Sequence, residues 1–202
     1  MNWIRLLPVL LLVVPSFAKA DCECLWRGSF TKVQADTDLV VSARVVGITG
    51  NSIDMTVAQT LRGTLYNQDI RVWLDIGDLC RAEAGTFPLA SQWVMALDKI
   101  NEVAAGGFNP NTPNISYGRV GDYSLSRCGG YWLSQNENLV SGNLSGGPRW
   151  VMEPKMSPVL LELVAGYVAG TVDEATLQEA GRVNPELQKL ILETRLHLRK
   201  QQ

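Results

Sequence analysis

Asp38-Leu39-Val40-Val41-Ser42-Ala43-Arg44-Val45-Val46-Gly47 is the stretch on which the fold turns. It is rich in β-branched side chains, which suit a pleated, half-buried surface. It alternates around Val40, Ser42 and Arg44, so the spacing predicts a half-buried strand. Gly50-Asn51 supplies turn chemistry, and Ile53, Met55 and Val57 then alternate with Asp54, Thr56 and Ala58 in a second strand. Gly63 marks the next break. Ile70, Val72 and Leu74 against Arg71, Trp73 and Asp75 predict a third strand leading to Cys80. Trp93 to Leu97 is a continuous apolar run, read as a strand buried on both faces. Residues 101–116 are rich in Gly, Asn and Pro and read as a long surface loop. Tyr123 to Leu133, with Cys128 and Gly129-Gly130, is expected to form one or two short strands with a bend. Five or more short strands without intervening helices point to a barrel or a sandwich.

Downstream of about Val151 the pattern changes to helical spacing. Ser157-Pro158 reads as an N-cap with proline at the first helical position, and Met156 with Leu161 fits a hydrophobic staple. Leu160, Leu163, Val164 and Tyr167 then share a face until Gly170. Thr171-Val172-Asp173-Glu174 has the form of a capping box for a short second helix that stops at Gly181. Asn184-Pro185 opens a third, with Leu187, Leu190, Ile191 and Leu198 at helical spacing. No Pro-rich or Ser-rich linker intervenes, so the helices are expected to pack on the β region.

Upstream, residues 1–20 read as a cleavable signal peptide: Arg5 near the start, an apolar run from Leu6 to Val14, and Ala18-Lys19-Ala20 as the cleavage site. The apolar run is well short of the roughly 20 residues that span a bilayer. Asp21 beside Cys22 argues against a lipoprotein box. The expectation is an exported protein, periplasmic or extracellular, without a membrane span. Removing Arg5 and Lys19 from the 18 Lys+Arg leaves 16 against 20 Asp+Glu, so the mature chain is acidic. It shows no basic stripe for nucleic acid. The four cysteines, Cys22, Cys24, Cys80 and Cys128, are an even set that allows three pairings. A Cys22–Cys24 bridge would strain a chain whose successive side chains point apart. Both other pairings tie Cys22-Glu23-Cys24 to two distant parts of the chain.

Taken together, Cys22-Glu23-Cys24, the stretch Asp38 to Gly47, the strand Ile53 to Val57 with Leu61-Arg62-Gly63, Ile70-Arg71-Val72-Trp73, and Cys80 and Cys128 in order resemble the tissue inhibitors of metalloproteinases and the wider netrin-like modules. The resemblance covers roughly Cys22 to Leu133. It implies an OB-like five-stranded barrel; with the helical spacing read downstream, this gives a barrel domain over residues 21–150 and a helical segment over residues 151–202 packed on it. It also implies Cys22–Cys80 and Cys24–Cys128 bridges, and a protein partner that could be a metalloprotease. In those inhibitors the chain begins at the first cysteine, whose free amine and carbonyl chelate the protease zinc. Here Asp21 would acylate that amine, and Glu23 would carry a carboxylate into an apolar pocket. The candidate partner-binding edge is Asp21, Cys22, Glu23, Cys24 and Trp26.

The expected function is non-enzymatic protein binding, with metalloprotease inhibition through the same edge as the alternative. An exported enzyme is the third reading, and it finds little to stand on. The single histidine, His197, lies near a helix C-terminus, where a cation is favourable for dipole reasons alone. Asp36, Asp38, Asp75 and Asp78 could supply a carboxylate pair, but acids flanking strands are usually just solvated. No catalytic residue, cofactor or metal is expected. Asn114-Ile115-Ser116 and Asn143-Leu144-Ser145 match the glycosylation pattern. Trp73, Trp93 and Trp132 fall in strand patterns and read as core.

Overall fold

Gly50 and Asn51 turn the chain back on itself, and Gly50 takes φ +59° at the first central position. That conformation matches the twist of the hairpin it joins. The computed structural model describes residues 22–77, 79–103, 116–146 and 156–200. The expected signal peptide, Asp21, Asp78, Asn114 and most of the 101–116 loop lie outside the described residues.

The hairpin consists of β1 (Leu39–Thr49) and β2 (Ser52–Arg62). Three register shifts, between Val40 and Val41, Ser42 and Ala43, and Val45 and Gly47, bend β1 against β2. Such bulges coil a sheet enough to close it. β3 (Asp69–Trp73) pairs antiparallel with β2, and β4 (Gln92–Lys99) pairs antiparallel with the free edge of β1. β5 (Tyr123–Ser124) closes the ring, parallel to β3 and antiparallel to β4. The ring order β1-β2-β3-β5-β4-β1 is a closed five-stranded, OB-like barrel.

β4 has a second use. Its residues Gln92 to Met95 also pair with β6 (Trp132–Asn136), from which β7 (Leu139–Gly142) and β8 (Val159–Leu160) extend the sheet beyond the barrel. Val140, Val159, Val164 and Leu177 consequently join the same buried cluster as Val40, Val41 and Leu97. This corrects the half-buried reading of the first strand. Leu39 to Ala43 are buried without interruption, because both edges of that half are paired and the core continues around it. Only from Arg44 onward does exposure alternate.

The helices are α1 (Phe30–Val33), α2 (Leu161–Val168), α3 (Glu174–Ala180) and α4 (Pro185–Lys200). The expected start at Ser157-Pro158 is displaced. β7 offers backbone partners to Val159 and Leu160, and Leu160, extended at φ −62° and ψ 135°, becomes the N-cap. Ser157 instead donates its hydroxyl to the Arg182 carbonyl at 2.8 Å. The second helix is capped by Asp173, whose carboxylate accepts from the Thr176 amide at 2.7 Å, while Thr171 turns back to the Gly166 carbonyl. Asn184 opens α4 as read, accepting from the Glu186 amide at 2.9 Å. α2 and α3 pack on the β region through Val164 and Leu177, each 0% exposed. Leu190, Leu192, Leu196 and Leu198 of α4 are exposed. Among the described residues, no helix is long and apolar enough to cross a membrane.

Candidate protein-binding edge

Two loops far apart in sequence are zipped together to receive the N-terminal segment. Arg127 donates its amide to the Cys80 carbonyl at 3.0 Å, Ala82 donates to Leu125 at 2.9 Å, and Arg81 bridges Ser126. Cys80, just after β3, and Cys128, just before β6, are thereby brought side by side. Cys22 bridges to Cys80 and Cys24 to Cys128, with Cα separations of 5.3 and 5.7 Å. Of the two pairings compatible with the sequence, this is the one the resemblance implies.

Downstream of the bridges the segment is sewn down by backbone bonds. Arg27 donates to Cys128 at 2.7 Å, Gly130 donates to Gly28 at 2.8 Å, and Phe30 donates to Asn143 at 2.8 Å. Gly130 permits this approach, since a Cβ there would lie 2.7 Å from the Asn143 carbonyl oxygen and 2.8 Å from the Phe30 nitrogen. Phe30 and Val33 then enter the core. Tyr167 donates its hydroxyl to the Thr31 carbonyl at 3.0 Å, and Glu174 accepts from Thr31 Oγ1 and Lys32 Nζ, so α2 and α3 brace α1 from behind.

Between these anchors the edge is bare. Among the described residues, no hydrogen bond engages the backbone of Glu23, Cys24, Leu25 or Trp26. Glu23 is exposed, Leu25 is 79% exposed, and Trp26 is half-buried. Cys22, Glu23, Cys24 and Leu25 form one wall of an open hollow of about 880 Å³; Ala82, Glu83, Thr86, Arg127 and Trp132 form the rest. Arg127 reaches across and donates from Nη2 to the Cys22 carbonyl at 2.7 Å.

The structure thus gathers Cys22, Glu23, Cys24, Cys80, Cys128 and Trp26 in one region, while Asp21 lies outside the described residues. Leu25 and Arg127 escaped the sequence reading. Leu25 could have been found by alternation: it follows two bridged cysteines, so the residues between and after them face away from the body. Nothing in the sequence marks Arg127. Trp73 is core at 2% exposed, but Trp132 is only half-buried and turns one side to the hollow, packing edge-on against Phe87 with ring centroids 5.7 Å apart.

Of the other candidates, Asp36 and Asp38 come together around Asp98, and the rest are dispersed. Asp36 pairs with Arg27 at 3.5 Å, and Asp38 accepts the Lys99 amide at 2.7 Å. Their neighbour Asp98 is held above the usual carboxyl range by burial and then by Asp38. Asp75 lies apart on the loop after β3, and Asp78 is outside the described residues. His197 sits on α4 rather than at the hollow. Asn143 is 2% exposed, so its match to the glycosylation pattern is buried. No protein-family model matches the chain, and neither does a curated protein or a solved structure.

Proposed function

We propose that this chain is an exported, non-enzymatic protein-binding module on a netrin-like scaffold, presenting the Cys22–Trp26 edge to its partner. The observation that carries the reading is the edge itself. Four consecutive residues with unpaired backbone groups are fixed at both ends by bridges and hydrogen bonds. Free amide and carbonyl groups on a rigid edge are what an added peptide segment pairs with, and neighbouring pockets then read its side chains. Because the bridges order the edge beforehand, little conformational entropy is lost on binding. Leu25 gives an exposed apolar contact beside the hollow, and Glu23 and Glu83 favour a partner with cationic groups at the rim.

Site-specific photo-crosslinking in the producing cell tests this. A photoreactive residue at Leu25 is expected to give a discrete protein adduct, whereas the same residue at Tyr66, 95% exposed on the far loop between β2 and β3, should not. Adducts from Tyr66 alone would move the binding surface away from the edge.

Metalloprotease inhibition is the second reading, favoured by the Cys22–Cys80 and Cys24–Cys128 pairing. Chelation would require the Cys22 carbonyl, which Arg127 already engages, and a free amine that Asp21 blocks. Titration of zinc metalloproteases with the oxidised protein decides between the readings. Stoichiometric inhibition would make the edge a protease ligand; its absence, with the crosslink retained, leaves the binding module.

A further inference from the structure

The two bridges share one sulfur cluster. The Sγ atoms of Cys24, Cys80 and Cys128, drawn from both bridges, all lie within 4.8 Å of one another, and Cys22 is bonded to Cys80. The paired backbone of the 80–82 and 125–128 loops, not the disulfides alone, holds the two distant cysteines adjacent. A tetrahedral zinc thiolate centre has Zn–S bonds of about 2.3 Å, which places its sulfurs about 3.8 Å apart. Opening the bridges lets bonded sulfurs separate from about 2 Å towards that spacing. The Sγ atoms of Cys24, Cys80 and Cys128 are within 4.8 Å of one another before any bridge opens, and Cys22 joins them by swinging in from its bond to Cys80.

We infer that the four cysteines, in their thiol form, make a binding site for one borderline-soft divalent ion such as zinc(II), with Cys22, Cys24, Cys80 and Cys128 as ligands. The thiol form is the one in which the chain is synthesised. A dithiol regenerates it: each bridge takes up two electrons and two protons while the dithiol becomes a disulfide. Binding the ion then releases four protons from the four thiols, leaving a centre of charge −2. Arg127, fixed on the Cys22 carbonyl, sets a positive charge beside that centre. The hollow lined by Cys22 and Cys24 gives ion and reductant a way in. The same sulfurs cannot hold the ion and the bridges together, so metal and oxidation exclude one another, and either one pins the edge.

The test uses the full mature chain, reduced with a phosphine that is then removed, and titrated anaerobically with cobalt(II) and afterwards zinc(II). The expected result is a one-to-one endpoint with the thiolate-to-cobalt and visible bands of a tetrahedral sulfur site, bleached by zinc. Cys80→Ser should lose those bands, and zinc-loaded protein should re-form its bridges more slowly in air than the metal-free reduced chain. Circular dichroism covers the case in which reduction unfolds the protein: recovery of the β signal on adding zinc supports the site. The inference is overturned by the absence of a one-to-one cobalt spectrum, by an unchanged spectrum in Cys80→Ser, or by a chain that stays unfolded with zinc.

Discussion

Gly63 ends β2 at φ +93°, and a Cβ there would stand 2.5 Å from the Asp38 carbonyl oxygen and 3.1 Å from Leu39 Cδ1. Asp38 and Leu39 are where the chain enters the barrel, so the glycine lets the end of the hairpin close over its own beginning. Gly63→Ala should therefore lower stability by about 1–3 kcal/mol. Gly77→Ala is the control. It shares a left-handed backbone, φ +108°, but a Cβ there meets nothing within 4 Å. Urea midpoints should fall further for Gly63→Ala, and equal shifts would mean that backbone strain alone is at work. Single residues were unevenly legible. Gly63 was readable as a break, while Arg127 was not readable at all, because its partner is a backbone carbonyl distant in the chain.

At the scale of elements, α3 is latched to α1 by one carboxylate. Glu174 accepts from Lys32 Nζ at 3.1 Å and from Thr31 Oγ1 at 3.0 Å. The Lys32 hydrogen bond, working against burial and helped by Thr31, holds the Glu174 carboxyl below its ordinary range. A depressed folded value means that the latch is complete above the unfolded pKa of about 4.3 and is lost as pH falls through the lower folded one. Glu174→Gln should accordingly lower the melting temperature at pH 7, and the gap should narrow as pH falls below the unfolded value; a gap that does not narrow in acid would contradict the latch. Strands with a clear period of two were legible, which is why β1 to β4 fall where alternation and apolar runs put them. β8 was not. Val159 and Leu160 carry helix-compatible spacing, and only the free edge of β7 makes them a strand.

For the whole molecule, the ring closes through two short pairings of β5, and the two bridges tie the N-terminal edge across it. Sequence separations of 58 and 104 residues correspond to about 4 and about 5 kcal/mol in the chain-entropy description. Removing Cys24–Cys128 by double serine substitution should thus cost slightly more than removing Cys22–Cys80, as read from denaturant unfolding. A loss below about 1 kcal/mol for either would mean that backbone bonds already fix the edge. The strands were open to prediction because they follow from local periodicity, which left barrel and sandwich both open; closure into a five-stranded barrel was what the resemblance implied. The β6–β7–β8 extension was not legible, since it depends on β4 being paired along both edges. The role proposed for Cys22 to Trp26 depends on that stretch being held rigid and exposed by its bridges. Peptide-level mass spectrometry of the non-reduced protein, purified from the producing cells, reports its N-terminus and its bridges together. A chain beginning at Asp21 with Cys22–Cys80 and Cys24–Cys128 linked is the expected result; free thiols, or Cys22 joined to Cys128 and Cys24 to Cys80, would overturn it.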